Sequence, residues 1–146
     1  MEILTVNVRA PVALIEALAS QMVKRGRETG ATGGRIVNVG SVSAFTGHPD
    51  LWYGASKAAL LNLTKTFAGL LGKDRVMVNA VAPGPTLTAM YESLPQSRKD
   101  MVMRSVYSGR PALPREVAEA IHYLGTSSPE YVNGTTLDVN NGSYPR

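Results

Sequence analysis

Tyr53 and Lys57 stand four residues apart where an apolar-patterned segment begins, and residues at i and i+4 share one face of a helix. A phenol titrates near pH ~10, so it needs help to exchange protons at neutral pH, and a neighbouring ammonium favours its phenolate. The two could act as one proton-handling unit or be ordinary surface residues, and the spacing alone leaves both open. Other chemistries have less to draw on. There is no cysteine, and the two histidines, His48 and His122, belong to no cluster with metal-ligand spacing, so a metal enzyme is not expected.

Length and composition set the frame. At 146 residues and 44% hydrophobic content, the chain is long enough for one globular domain with a real core and too short for two. The net charge of +4 is spread over dispersed lysines and arginines, with no basic stripe and no interleaved aromatics, so a nucleic-acid partner is not expected. The N-terminus lacks the pattern of a signal peptide, and no continuous apolar run approaches ~18 residues. The expectation is a soluble, cytoplasmic protein with no membrane partner.

Four kinds of element must position the pair. Over residues 2–25 apolar residues recur at helical spacing, with Pro11 inside the pattern. A proline there cannot bond back to the Asn7 carbonyl, so either the helix kinks and leaves that carbonyl free, or it simply begins at Pro11. Residues 26–34 are Gly/Thr-rich and expected as a mobile loop. Short β-branched runs predict strands over 35–40, 76–81 and 135–139. Long helical patterns cover 53–71 and 114–124, and Pro83-Gly84-Pro85 stops the second strand. The mixed segment 86–110, helical from about Thr88, has the composition of a lid or of a plain surface helix. Strands separated by a dozen or more residues with helices between them imply a parallel, open α/β sheet.

With these elements in order, the chain resembles the short-chain dehydrogenase/reductase family over essentially all 146 residues. Tyr53-Gly54-Ala55-Ser56-Lys57 looks like its tyrosine–lysine motif, and the run from Arg35 to Ser41 like its strand leading to a catalytic serine. Asn7 stands where the family has a catalytic asparagine. Val78-Asn79-Ala80-Val81-Ala82-Pro83-Gly84-Pro85 with Thr88 is similar to its nicotinamide-side loop. The tail from Pro114 to Gly142 resembles its C-terminal signature.

The resemblance implies a partial Rossmann-like, doubly wound parallel sheet made of the last three strands, with residues 1–146 as the C-terminal catalytic part of one domain. It implies hydride transfer between NAD or NADP and a small carbonyl/alcohol substrate. Tyr53 would be the general acid or base, Lys57 would assist it and bind the nicotinamide ribose, and Ser41 would hold the substrate oxygen. Asn7 would hold a water through its main-chain carbonyl, a role that favours the kinked form of the first helix. Pro83 and Gly84 would wall the nicotinamide, with Thr86 and Thr88 near its carboxamide; Ser43, His48, Trp52 and Met90 would line the substrate pocket. Helices 2–25 and 53–71 would pack in a homo-oligomer.

Ser41 precedes Tyr53 by twelve residues, one fewer than the commonest family spacing, which tightens the loop and leaves Ser43 as a stand-in. Asn140-Asn141 replaces a frequent Asp-Gly. The larger departure is that no Gly-rich phosphate turn and no cofactor-discriminating acidic or basic residue is present. Two accounts follow from it. The chain is the catalytic part of a longer or assembled reductase, or it is a truncated, non-catalytic half that serves in dimerisation or complex formation.

Overall fold

The computed structural model describes residues 2–146. Helix α1 spans Glu2–Thr29, but not with one geometry. Its first turn, Glu2–Leu4, leads into a wider π turn, Thr5–Arg9, before the regular stretch Ala10–Thr29. There the Ala10 N–H donates to the carbonyl of Thr5, five residues back. Pro11 sits at the start of the regular stretch, where a missing N–H is tolerated. The irregularity expected between Asn7 and Pro11 thus takes the form of one extra residue in the turn.

The apolar pattern stops at Arg25, yet the helix runs on to Thr29 and closes on Gly30 in the left-handed region, φ 64°, whose N–H bonds the Gly26 carbonyl. Part of the stretch expected as a mobile loop is therefore helix. Gly26 is buried there because a Cβ would lie 2.3 Å from the Asp74 carbonyl oxygen. Its glycine serves close approach, which composition cannot distinguish from flexibility.

Strand β1, Gly34–Val39, is followed by a short helix α2, Ser43–Thr46, and the long helix α3, Leu51–Leu71. Strand β2, Val76–Pro83, leads to two short helices, α4, Ala89–Glu92, and α5, Gln96–Met103. Helix α6, Pro114–His122, continues into a π turn, Tyr123–Ser127, and strand β3, Thr136–Val139, completes the order. The three strands are parallel in the order β1-β2-β3, with Gly34 opposite Val76 and Ala80 opposite Thr136. This is an α/β fold with a parallel sheet.

Side chains alternate along β1 and show which helix covers which face. Asn38 donates to the Thr64 hydroxyl on α3 at 2.9 Å, and Gly34 lies against Met22 of α1. On the other face Arg35 donates to Ser128 at 2.9 Å, and Val37 adjoins Gly125. Helices α1 and α3 cover one side and the α6 segment the other, so the sheet is doubly wound.

The core centres on β2, where Val76, Val78, Ala80, Val81 and Ala82 have no exposed surface. Among them Asn79 is also buried. Its amide donates to the Val132 carbonyl at 2.8 Å and its side-chain oxygen accepts from the Thr135 N–H at 3.0 Å. Asn133 accepts from the Val78 N–H at 2.8 Å and donates to the Ala68 carbonyl. These bonds fasten the turn that delivers β3, and each satisfies a backbone group that burial would otherwise leave unpaired.

The opposite border is open. Strand β1 is one of the two edge strands, Val39 is exposed at its end, and Val6, Leu14 and Leu18 of α1 are exposed beside it. A mostly apolar groove of about 350 Å³ runs between α1 and the β1 edge. By length and composition alone α1 could also cross a membrane, its most apolar 18 residues averaging a mean hydropathy of 1.4. That departs from the expectation drawn from continuous runs, because scattered polar residues interrupt the run without lowering the average far.

Candidate active site

Helix α3 starts two residues earlier than its apolar pattern, at Leu51, because Asp50 caps it. The Asp50 carboxylate accepts from the backbone N–H groups of Trp52 and Tyr53 at 3.0 and 3.1 Å. Tyr53 is thereby fixed in the first turn, with Lys57 one turn further on the same face. The Lys57 ammonium lies 5.8 Å from the centroid of the Tyr53 ring and donates to the Val39 carbonyl at 2.9 Å. Lys57 is half-buried, and burial pushes its pKa down from the ordinary lysine value.

Ser41 follows β1 directly and is buried. Two backbone bonds hold its turn against β2, from the Gly40 N–H to the Val81 carbonyl and from the Val42 N–H to the Pro83 carbonyl. The Ser41 hydroxyl oxygen accepts from the Ser43 N–H at 3.1 Å, which leaves its own proton available to a substrate oxygen. His48 packs on Tyr53, ring centroids 4.8 Å apart and tilted by 55°. Its Nδ1 accepts from the Asp50 N–H at 3.1 Å, so a neutral His48 ring carries its proton on Nε2.

These side chains open on one cleft of about 580 Å³. Ser41, Ser43, His48, Tyr53 and Lys57 form one wall, and Pro83, Gly84, Thr86, Thr88 and Met90 form the other. Gly84 donates to the Val139 carbonyl at 3.0 Å, and a Cβ there would come within 2.9 Å of the Asn140 side chain and 3.0 Å of its Cα. Glycine at this position lets the end of β2 sit tight against the end of β3. The Thr86 hydroxyl donates to the Gly84 carbonyl at 3.1 Å, and Thr88 caps α4 by accepting from the Tyr91 N–H.

Two expected site residues fall elsewhere. Trp52 is exposed and does not line the cleft, because one residue along a helix turns the side chain by about 100° and Tyr53 takes the inward direction. Asn7 opens on the neighbouring groove, which it shares with Lys57. Its amide donates to the Ser56 hydroxyl at 3.1 Å, and Ser56 in turn donates to the Tyr53 carbonyl at 2.7 Å. Ser56 is wholly buried and ties α1 to the turn that carries Tyr53, a link the sequence pattern offers only as a small polar residue inside the motif. On the lid side Tyr91 lines the cleft, in keeping with the polar run Tyr91-Glu92-Ser93, and Leu94, Arg98 and Val102, which no motif marks, line it as well.

The donor set suits the nicotinamide end of a dinucleotide, with a half-buried ammonium at Lys57, hydroxyls at Thr86 and Thr88, and an apolar wall at Pro83. For the phosphates and adenosine the chain has no Gly-rich turn to offer.

A family model described as Enoyl-(Acyl carrier protein) reductase matches residues 1–144. The mouse protein "Dehydrogenase/reductase SDR family member 4" is 36% identical over 99% of this chain and 51% of its own length. A 3-oxoacyl-(acyl-carrier protein) reductase structure from Brucella melitensis aligns with a TM-score of 0.86 at 32% identity, covering 96% of this chain and 51% of that one. A blue fluorescent protein from a metagenomic library, solved with NADPH, aligns with a TM-score of 0.80 at 30% identity, covering 97% and 55%. The chain spans about half the length of the relatives it matches. The blue fluorescent protein structure holds NADPH, and a gluconate 5-dehydrogenase-like structure from Beutenbergia cavernae that also aligns, with a TM-score of 0.85 at 30% identity over 96% of this chain and 55% of that one, holds NADP. Matched along nearly its whole length and superposing on reductases of this kind, the chain belongs to the short-chain dehydrogenase/reductase family.

Proposed function

We propose that the protein is the catalytic portion of an NAD(P)-dependent oxidoreductase that interconverts a carbonyl and an alcohol. The observation that carries this reading is the sharing of one cleft by Ser41, Tyr53 and Lys57, facing Pro83 and Gly84. When bound, the nicotinamide supplies or accepts the hydride. Everything else falls to this chain's own groups. The Tyr53 hydroxyl gives its proton to the substrate oxygen as carbonyl becomes alcohol, and takes it back in the reverse direction. Ser41 donates its free proton to the same oxygen, holding it beside Tyr53 and stabilising charge that builds there. Lys57, 5.8 Å from the Tyr53 ring, places positive charge beside the phenolate that forms. Asn7 acts at one remove, steadying the Tyr53 turn through Ser56.

Cofactor-dependent carbonyl reduction, followed by nicotinamide absorbance, tests this mechanism. Tyr53→Phe should lower kcat by about 10²- to 10⁴-fold, the usual worth of a positioned general acid. Activity untouched by the substitution would remove Tyr53 from the mechanism.

A second reading has its own support in the open apolar groove beside β1. On that reading the chain associates through α1 and α3 and does no chemistry. Failure of the purified protein to bind either NAD or NADP would favour it.

A further inference from the structure

Arg98 sits on α5, on the lid side of the cleft that holds Tyr53 and Ser41. Among the described residues its guanidinium has no carboxylate partner. It makes a weak bond to the Met101 sulfur at 3.7 Å. The charged residues that follow it on α5 have other partners. Asp100 accepts from Gln96 at 2.7 Å, and Lys99 reaches back to the Glu92 carbonyl rather than competing for the cleft. The acid that does line the cleft, Asp50, is held at the start of α3 by two backbone N–H groups that donate to one of its carboxylate oxygens. Arg98, half-buried and lining a partly apolar cleft, carries a guanidinium with five donors and no carboxylate partner among the described residues, which makes it a receptor for an anion.

We propose that Arg98 makes the enzyme selective for carbonyl or alcohol substrates that carry a second, anionic group, a carboxylate or a phosphate. This rests on the proposed oxidoreductase function, since it takes the reacting oxygen to lie at Tyr53 and Ser41. The anionic group then sits toward α5, where Arg98 pairs with it. The lid residues Leu94 and Val102, which also line the cleft, are positioned beside the intervening carbon chain. Arg98 is in this scheme a specificity residue and takes no part in proton or hydride transfer.

Matched probe pairs that differ only in charge test it on the full native-length protein. The pairs are levulinate against its methyl ester, and dihydroxyacetone phosphate against dihydroxyacetone. Saturation-transfer NMR with cofactor present reads binding, and nicotinamide absorbance reads turnover. The wild-type protein should prefer at least one charged probe by about tenfold or more, and Arg98→Met should abolish that preference while moving the neutral probe by less than about twofold. Arg98→Lys should restore part of it, since a point charge remains without the fork. Which pair responds distinguishes carboxylate from phosphate. Equal binding of charged and neutral probes by the wild type would overturn the proposal, as would a preference that survives in Arg98→Met. Because binding is read separately from turnover, a protein in which Tyr53→Phe changes nothing would fail the proposed mechanism and still report on Arg98.

Discussion

The two borders of the sheet differ in how completely they are built. At β2 and the turn that leads into β3, burial and hydrogen bonding are nearly complete within the chain. The β2 valines and alanines have no exposed surface, and Asn79 and Asn133 satisfy the backbone of the adjoining turn. At β1 and α1 the same kinds of residue are left facing outward: Val39, Val6, Leu14 and Leu18 are exposed along an apolar groove. Exposed apolar edges of this sort invite pairing, and proteins normally cover them. The residues of the candidate site lie between the two borders. The Ser41 turn is bonded to β2, the Tyr53 turn is tied to α1 through Ser56, and Lys57 borders both the cleft and the open groove. The difference teaches that the same kinds of apolar residue are packed away at one border and left facing outward at the other.

The comparison breaks most visibly at Asn79. Asn79→Leu removes both bonds to the turn before β3 and leaves the Val132 carbonyl and the Thr135 N–H without partners. A loss of about 2 to 4 kcal/mol in unfolding free energy is expected from denaturant titration. A loss below about 0.5 kcal/mol would mean that the finished side is less tightly determined than its bonds suggest.

A smaller effect is expected where the lid meets α6. Arg110 grips Glu116 through both carboxylate oxygens at 2.8 and 2.7 Å, and the Leu113 N–H adds a third bond. The Arg110 guanidinium, with that N–H, holds the Glu116 carboxyl down from the usual 4.5 to about 2. Because the unfolded chain binds the proton more readily, the contribution is whole above pH 4.5 and fades as pH falls toward 2. The melting temperature of the wild type should drop across that interval more steeply than that of Glu116→Gln. Parallel curves would show that the ion pair does not hold this corner.

The smallest effect belongs to the open border. Leu14→Gln together with Leu18→Gln should change unfolding free energy by no more than about 0.5 kcal/mol, since both side chains already face water. A cost above about 1 kcal/mol in the native protein would sharpen the comparison in the other direction. It would place the groove under further chain or a second copy.

Much of the fold is legible in the residues. The β-branched runs gave three strands, and Pro83-Gly84-Pro85 marked the end of β2, though that strand extends to Pro83 itself. Boundaries set by a single tertiary contact were less legible. Gly26 reads as loop but is a helix residue pressed on the Asp74 carbonyl, and Asp50 starts α3 ahead of its apolar pattern. The site divides in the same way. Residues in a motif with fixed helical spacing fall together in the cleft, whereas Trp52 is lost from it by one position and Arg98 joins it without any motif.

By itself the sequence determined the element order, the parallel sheet and the Tyr53–Lys57 face, because periodicity and i,i+4 spacing are local properties of the chain. Only the tertiary structure decided that Ser56 would bridge Asn7 to the Tyr53 turn, that His48 would pack on the Tyr53 ring, and that Arg98 would line the cleft with no carboxylate partner among the described residues. Those relations join residues whose separation along the chain carries no information about their distance in space. They arise when helices and strands pack and leave each polar group either a partner or none.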